Sequence, residues 1–215
     1  MREITLCTMV AVVFTVGTAS VATAQGRPEA TATSEASRLG AEYFVQRAGA
    51  SWTYALAADS KKAKEKENKR GKITISSFVD WKASVSVSMG KWQGGTTWRV
   101  KEGAWLERSG LRSDHETIVL PAQMTRGTRW QAPSSMERGP GKVSAYEVVA
   151  LEAQVELPTG MTVEHCLAVL ESAPEGGEGF THYYAPNIGK VAVQGPEGWL
   201  YRLVEFRSGA KGHAE

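Results

Sequence analysis

The sequence predicts a mainly β protein: a single curved antiparallel sheet or half-open barrel, with at most one short N-terminal helix. Three observations carry this. Short stretches of alternating apolar and polar residues recur between Ser51 and Phe206, the period of strands with one packed and one wet face. Turn segments rich in glycine and proline separate them at hairpin spacing. No helical pattern is long enough to carry the chain between parallel strands.

The N-terminus is set aside first. Arg2 precedes an apolar run, Leu6 to Val16, and the small residues that follow end in Ala22-Thr23-Ala24 before Gln25. This is the layout of a secretory signal peptide over residues 1–24. The run is well short of the roughly 20 apolar residues a membrane span needs, and Cys7 sits too early in it to be a lipid-attachment site. The expected product is exported, periplasmic or extracellular, without a transmembrane segment. Residues 25–37 have the composition of a disordered lead-in, residues 38–207 form the antiparallel β domain, and 208–215 a flexible tail.

Within the domain, Ser34 to Val45 is the one candidate helix, with Leu39, Tyr43 and Phe44 on its apolar side. Ser51 to Ala58 opens the strands, and the charged run from Asp59 to Lys72 reads as a solvated hairpin loop. Lys72 to Trp81 places Ile73, Ile75, Ser77, Val79 and Trp81 on one face. Val85, Val87 and Met89 then alternate with Ser84, Ser86 and Ser88. Gly94-Gly95 and Glu102-Gly103 are read as turns around strands Thr96 to Lys101 and Ala104 to Arg108. Glu116 to Leu120 and Thr128 to Gln131 follow. Lys142 to Leu157 is long enough to require a bend or bulge, with Val143, Ala145, Val149, Leu151, Ala153, Val155 and Leu157 sharing a face. Leu157-Pro158-Thr159-Gly160 fits a type I turn, and Gly195-Pro196-Glu197-Gly198 repeats its chemistry before the strand Trp199 to Phe206. Between them, Cys166 and His182 fall on neighbouring strands of a predicted hairpin. Gly49-Ala50-Ser51-Trp52 and Gly127-Thr128-Arg129-Trp130 share the pattern G-x-x-W, each opening a strand.

Composition excludes several function classes. Removing Arg2 and Glu3 with the leader takes Lys+Arg from 25 to 24 and Asp+Glu from 23 to 22, so there is no net field for nucleic acid or an anionic membrane. Cys166 is the one cysteine outside the leader, which excludes an internal disulfide framework and fits a buried thiol. The histidines at 115, 165, 182 and 213 show no metal-ligand spacing. No phosphate loop, dinucleotide fingerprint or nucleophile turn is present, so no catalytic, cofactor or metal residue is assigned. His165 and Cys166 are strand neighbours and face opposite sides; only Cys166 with His182 could pair, in a register the sequence leaves open.

The order of motifs is similar to that of a group of uncharacterised bacterial secreted proteins and lipoproteins. Y-F-V-Q-R-A-G-A-S-W-T-Y (Tyr43 to Tyr54) resembles their opening Y-[FY]-P-L-x-x-G-x-x-W-x-Y. Leu120 to Trp130 resembles their second G-x-x-W segment, Val155 to Val169 their V-x-V-P-A-G-x-F-x-x-C-L-x-V, and Tyr183 to Val191 their [WY]-Y-A-x-G-V-G-x-V. Val45, Thr159 and Asn187 depart from the pattern. The resemblance implies a half-barrel similar to the LolA/LolB type of periplasmic lipoprotein carriers, whose hollow can hold lipid, and it implies no enzymatic activity.

The expected function is therefore non-catalytic binding of an apolar molecule (lipid or lipid-like) or of a cell-envelope component. The alternative is a structural or protein-interaction module with a filled core, and a Cys166/His182 hydrolase ranks behind both. No cofactor and no nucleic-acid partner are expected. Trp52, Trp81, Val85, Val87, Met89, Trp98, Tyr183 and Tyr184 are the candidate lining of the hollow.

Overall fold

A computed structural model of the chain describes residues 37–57, 70–89, 92–109, 116–135, 142–176 and 179–209. The expected leader, most of the expected lead-in, most of the charged run, His115, His213 and the end of the chain lie outside the described residues. The rest is almost all strand. In the described part of the expected N-terminal helix the structure has a 3-10 helix, Gly40–Tyr43. Among the described residues twelve strands follow: β1 Ser51–Leu56, β2 Arg70–Val79, β3 Lys82–Met89, β4 Trp92–Lys101, β5 Ala104–Ser109, β6 Thr117–Leu120, β7 Arg129–Pro133, β8 Val143–Glu156, β9 Thr162–Ser172, β10 Phe180–Ala185, β11 Gly189–Gly195 and β12 Gly198–Arg207.

They form one antiparallel sheet in the order β6-β5-β4-β3-β2-β1-β12-β11-β10-β9-β8-β7. Every step except β12 to β1 joins strands consecutive in sequence. The two ends of the order, β6 and β7, are also consecutive, and they lie in contact without pairing. The sheet is thus a nearly closed barrel with one unladdered seam, as the curved-sheet reading anticipated. Among the described residues, no helix is long and apolar enough to cross a membrane.

Alternation sets the core, and bulges decide where it changes phase. Ile73 and Ile75 of β2 face Val87 and Val85 of β3, and all four are buried. The register then slips between Ile75 and Ser77, and one extra residue inverts the faces beyond it. Phe78 therefore packs inward opposite the buried Ala83, whereas Val79 is 63% exposed. Trp81 does not continue β2. It forms the β2–β3 turn with Asp80, both at positive φ (61° and 49°), and its side chain is 63% exposed. The expectation that Val79 and Trp81 share the core face is corrected by the bulge for Val79 and by the turn for Trp81.

Two further corrections have similar causes. Gly94 and Gly95 lie inside β4, paired with Val87 and Ser86, and the β3–β4 pairing already begins at Met89 with Trp92. β8 is irregular at three places opposite β9. Its first half has the opposite phase to the one expected, with Ser144 and Val148 buried and Val143 exposed.

One end of the barrel is plugged. The 3-10 helix and its continuation bury Tyr43, Phe44 and Val45, tied to the β10–β11 turn by Asn187 N–H donating to the Glu42 carbonyl at 2.9 Å. Aromatic rings fill the space above: Trp105 lies 5.8 Å from Phe44, 5.2 Å from Trp98 and 5.9 Å from Tyr184, the last two edge-on. Trp52 meets Trp98 edge-on at 6.1 Å, a favoured arrangement for ring quadrupoles. The two G-x-x-W segments share a local geometry. Gly49 and Gly127 both take positive φ (77° and 85°), and each donates its N–H across the sheet, to the Ile75 and Val148 carbonyls, both at 2.8 Å. Trp52 is buried, while Trp130 stacks flat on Tyr146 at 5.4 Å.

Candidate functional site: an apolar hollow with a polar wall

Above the aromatic floor the barrel encloses a cavity of about 480 Å³. Its lining combines floor residues (Tyr43, Trp52, Trp98, Trp105) with residues of the seam: Thr117, Ile118 and Val119 from β6, Ala132 and Pro133 from β7, and Ser134 and Ser135 just beyond. Apolar groups dominate the surface, and Gly94 and Gly95 add no side-chain bulk on the β4 wall.

Of the eight predicted lining residues, Trp52, Val87, Met89, Trp98 and Tyr184 line the hollow. Val85 is buried and does not line the hollow. Trp81 is at the exposed hairpin tip, 6.5 Å from Phe78. Tyr183, one residue out of phase with Tyr184, instead packs against Trp199 at 5.5 Å and donates its hydroxyl to Gln194. Adjacent strand residues must take opposite faces, so only one of the tyrosines could enter.

Sequence reasoning missed the chemistry of the polar wall. Glu171 sits on β9 in phase with Leu167 and Val169, and His182 on β10 lies opposite Val169. All four point to the buried side, so a carboxylate and an imidazole meet there. His182 Nε2 lies 2.8 Å from Glu171 Oε2. Ser135 donates its backbone N–H to Oε1 at 2.9 Å and its hydroxyl to Oε2, and Ser144 Oγ donates to Oε1 at 2.8 Å. Ser134 Oγ extends the network to Ser144 Oγ at 2.7 Å. Glu171, Ser144 and His182 are all fully buried. Burial pushes the Glu171 carboxyl up, but the hydrogen bonds from His182 and Ser135 outweigh it and hold the group down at about 2. A carboxylate only accepts, so His182 must donate from Nε2. The signal in the sequence was the phase of Glu171 within L-A-V-L-E-S, two positions after Val169.

The constellation is not a nucleophile triad. Both serines give their protons to the carboxylate, and the imidazole does not stand between serine and acid. Nor does it involve the cysteine. Val169, the partner of His182, is three positions along β9 from Cys166, roughly 10 Å at strand rise, and Cys166 does not line the hollow. The thiol is fully buried, pushed up to about 11 by that burial, with its sulfur near the Val163 and Glu164 carbonyls. His165 is on the surface, paired with Glu152, which Arg38 also engages.

Four buried polar atoms of the lining residues have no partner among the described residues: Tyr43 Oη, Trp98 Nε1, Trp105 Nε1 and His182 Nδ1. Burial pushes the Tyr43 phenol up to about 12, which keeps it neutral. No protein-family model, curated protein or solved structure matches the chain.

Proposed function

We propose that this chain is an exported, non-catalytic domain whose hollow holds an apolar ligand, lipid or lipid-like, in the manner of the LolA/LolB-like half-barrels its motifs resemble. The observation that carries the reading is the cavity of about 480 Å³ with aromatic and aliphatic walls. That size lies in the range of roughly 300–1,000 Å³ typical of small-molecule sites. Its position also supports the reading. The cavity reaches the β6–β7 seam, the one place in the sheet order where a ligand could enter without breaking a strand ladder. Apolar burial supplies the driving force, about 25 cal/mol per Å² removed from water.

The second reading, an interaction module with a filled core, is favoured by one feature only: Trp52, Trp98 and Trp105 occupy the floor with their own rings. Native mass spectrometry of the exported form tests the choice. Lipid-sized adducts released at raised collision energy are expected. An adduct-free spectrum that stays so after incubation with lipid contradicts the ligand reading and leaves the interaction module.

A further inference from the structure

We infer that Gly94 is a specificity-determining residue of the hollow: its missing side chain leaves the space in which the outer part of a long aliphatic chain lies against bare strand backbone. The inference rests on the ligand reading above and adds what lets the hollow prefer long chains to short ones.

Three observations lead to it. First, Gly94 is on the face of β4 that lines the hollow. It pairs with the buried Val87, and it is in phase with Thr96 and Trp98, which pair with the buried Val85 and Ala83. Residues directly opposite across two strands share a face, and Gly94, Thr96, Trp98 and Val87 all line the hollow. Gly95, paired with the exposed Ser86, has the other face.

Second, the backbone at Gly94 does not call for glycine. The β3–β4 register runs without a bulge from Lys82 with Arg99 to Met89 with Trp92, and Gly94 is not at positive φ. Gly189, which also lines the hollow, differs: its φ of 85° is a conformational reason for glycine. Glycine inside a strand weakens it. With no bulge and no left-handed backbone to account for that cost, close approach of another molecule is the remaining reason for a strand glycine.

Third, the space is graded and apolar. Along β4 the inward residues are Trp98, then Thr96, then Gly94, so the wall recedes with distance from the floor. Trp98 to Gly94 is four residues, roughly 13 Å at strand rise. The row across the sheet at the level of Gly94 is Ile73, Val87 and Gly94, which suits methylene groups and offers no polar side chain. A short chain seated on the floor stops before this row, and a long one reaches it.

The test is calorimetric titration of 1-hexanol and 1-decanol into the full exported chain, its Gly94→Val variant and a Gly95→Ala control, with a denaturant titration of each protein alone. In Gly94→Val, 1-decanol should bind at least about tenfold more weakly than in the natural chain, and 1-hexanol less than about threefold more weakly. The denaturation midpoint of Gly94→Val should equal or exceed the natural one, because valine suits a strand better than glycine. Gly95→Ala should bind both alcohols as the natural chain does. Unchanged 1-decanol binding in Gly94→Val, an equal loss for the two alcohols, or a lowered midpoint would each overturn the inference. The ligand reading would stand in all three cases, because the natural chain still binds 1-decanol. If the natural chain binds neither alcohol, both fail. A Gly94→Val chain that does not fold counts as a lowered midpoint, since it would show that the glycine serves the strand.

Discussion

The floor and the polar wall of the barrel both carry buried side chains and are opposite in chemistry. The floor is a stack of rings, Phe44, Trp105, Trp98 and Trp52, held by dispersion and edge-on packing. The wall is Glu171 with its donors from His182, Ser135 and Ser144. When a neighbouring ring is removed, the rings that remain are weakened only in proportion to the surface left uncovered. A buried carboxylate has no such graded response, because each absent donor leaves charge uncompensated. The difference assigns separate duties: the floor closes the barrel and gives an apolar surface, and the wall fixes one imidazole in one orientation beside the cavity.

The largest expected effects come from breaking either region. Trp105→Ala removes a ring that packs on Phe44, Trp98 and Tyr184, and should cost about 3–5 kcal/mol of unfolding free energy in a denaturant titration. Glu171→Ala should cost a similar amount, about 3–5 kcal/mol, because His182 and both serines lose their acceptor together. A loss in Glu171→Ala much smaller than in Trp105→Ala would show that the wall contributes little to holding the barrel together.

An acid titration separates the two by sign. Glu171 is held at about 2 in the folded chain against an ordinary 4.5. A depressed carboxylate stabilises the fold above its unfolded value, and that contribution fades as pH falls from about 4.5 towards 2. Up to about 3 kcal/mol is at stake. Denaturation midpoints should fall over this window in the natural chain, and the fall should be smaller in Glu171→Gln. Trp105→Ala should leave the slope unchanged.

The smallest effect lies outside both regions. Trp81 sits at positive φ in an exposed turn, a conformation costly for a bulky side chain. Trp81→Asn should leave stability unchanged or raise it by about 0.5–1 kcal/mol. A marked loss would mean that the tip belongs to the core.

How far the sequence discloses the molecule follows from the same physics. Alternation is legible where it is regular. Ile73, Ile75, Val85 and Val87 declared their face correctly, and so did the two turns, where Gly160 N–H closes on the Leu157 carbonyl at 3.0 Å and Gly195 pairs with Gly198. It fails wherever one extra residue is inserted. The bulge between Ile75 and Ser77 turned Val79 outward, and the irregular β8 placed Ser144 inside. Such insertions leave no local mark, because Ser76 looks like any other strand serine. The glycines of β4 misled for a related reason, since glycine within a strand and glycine at a turn look alike without the pairing. The wall was hidden by its distance along the chain. Ser135, Ser144, Glu171 and His182 meet only through the order β7-β8-β9-β10, and an acidic residue by itself reads as solvated.

The central claim is that the hollow is a ligand site and not a packing remnant, and filling it tests this most directly. Ala132 is buried on β7 and its methyl lines the cavity, so Ala132→Phe projects a ring into the space a ligand would use. Calorimetric titration of 1-decanol into the natural chain should give saturable binding, weakened at least about tenfold in a folded Ala132→Phe variant. Equal binding by the two proteins, or none by the natural chain, would contradict the account.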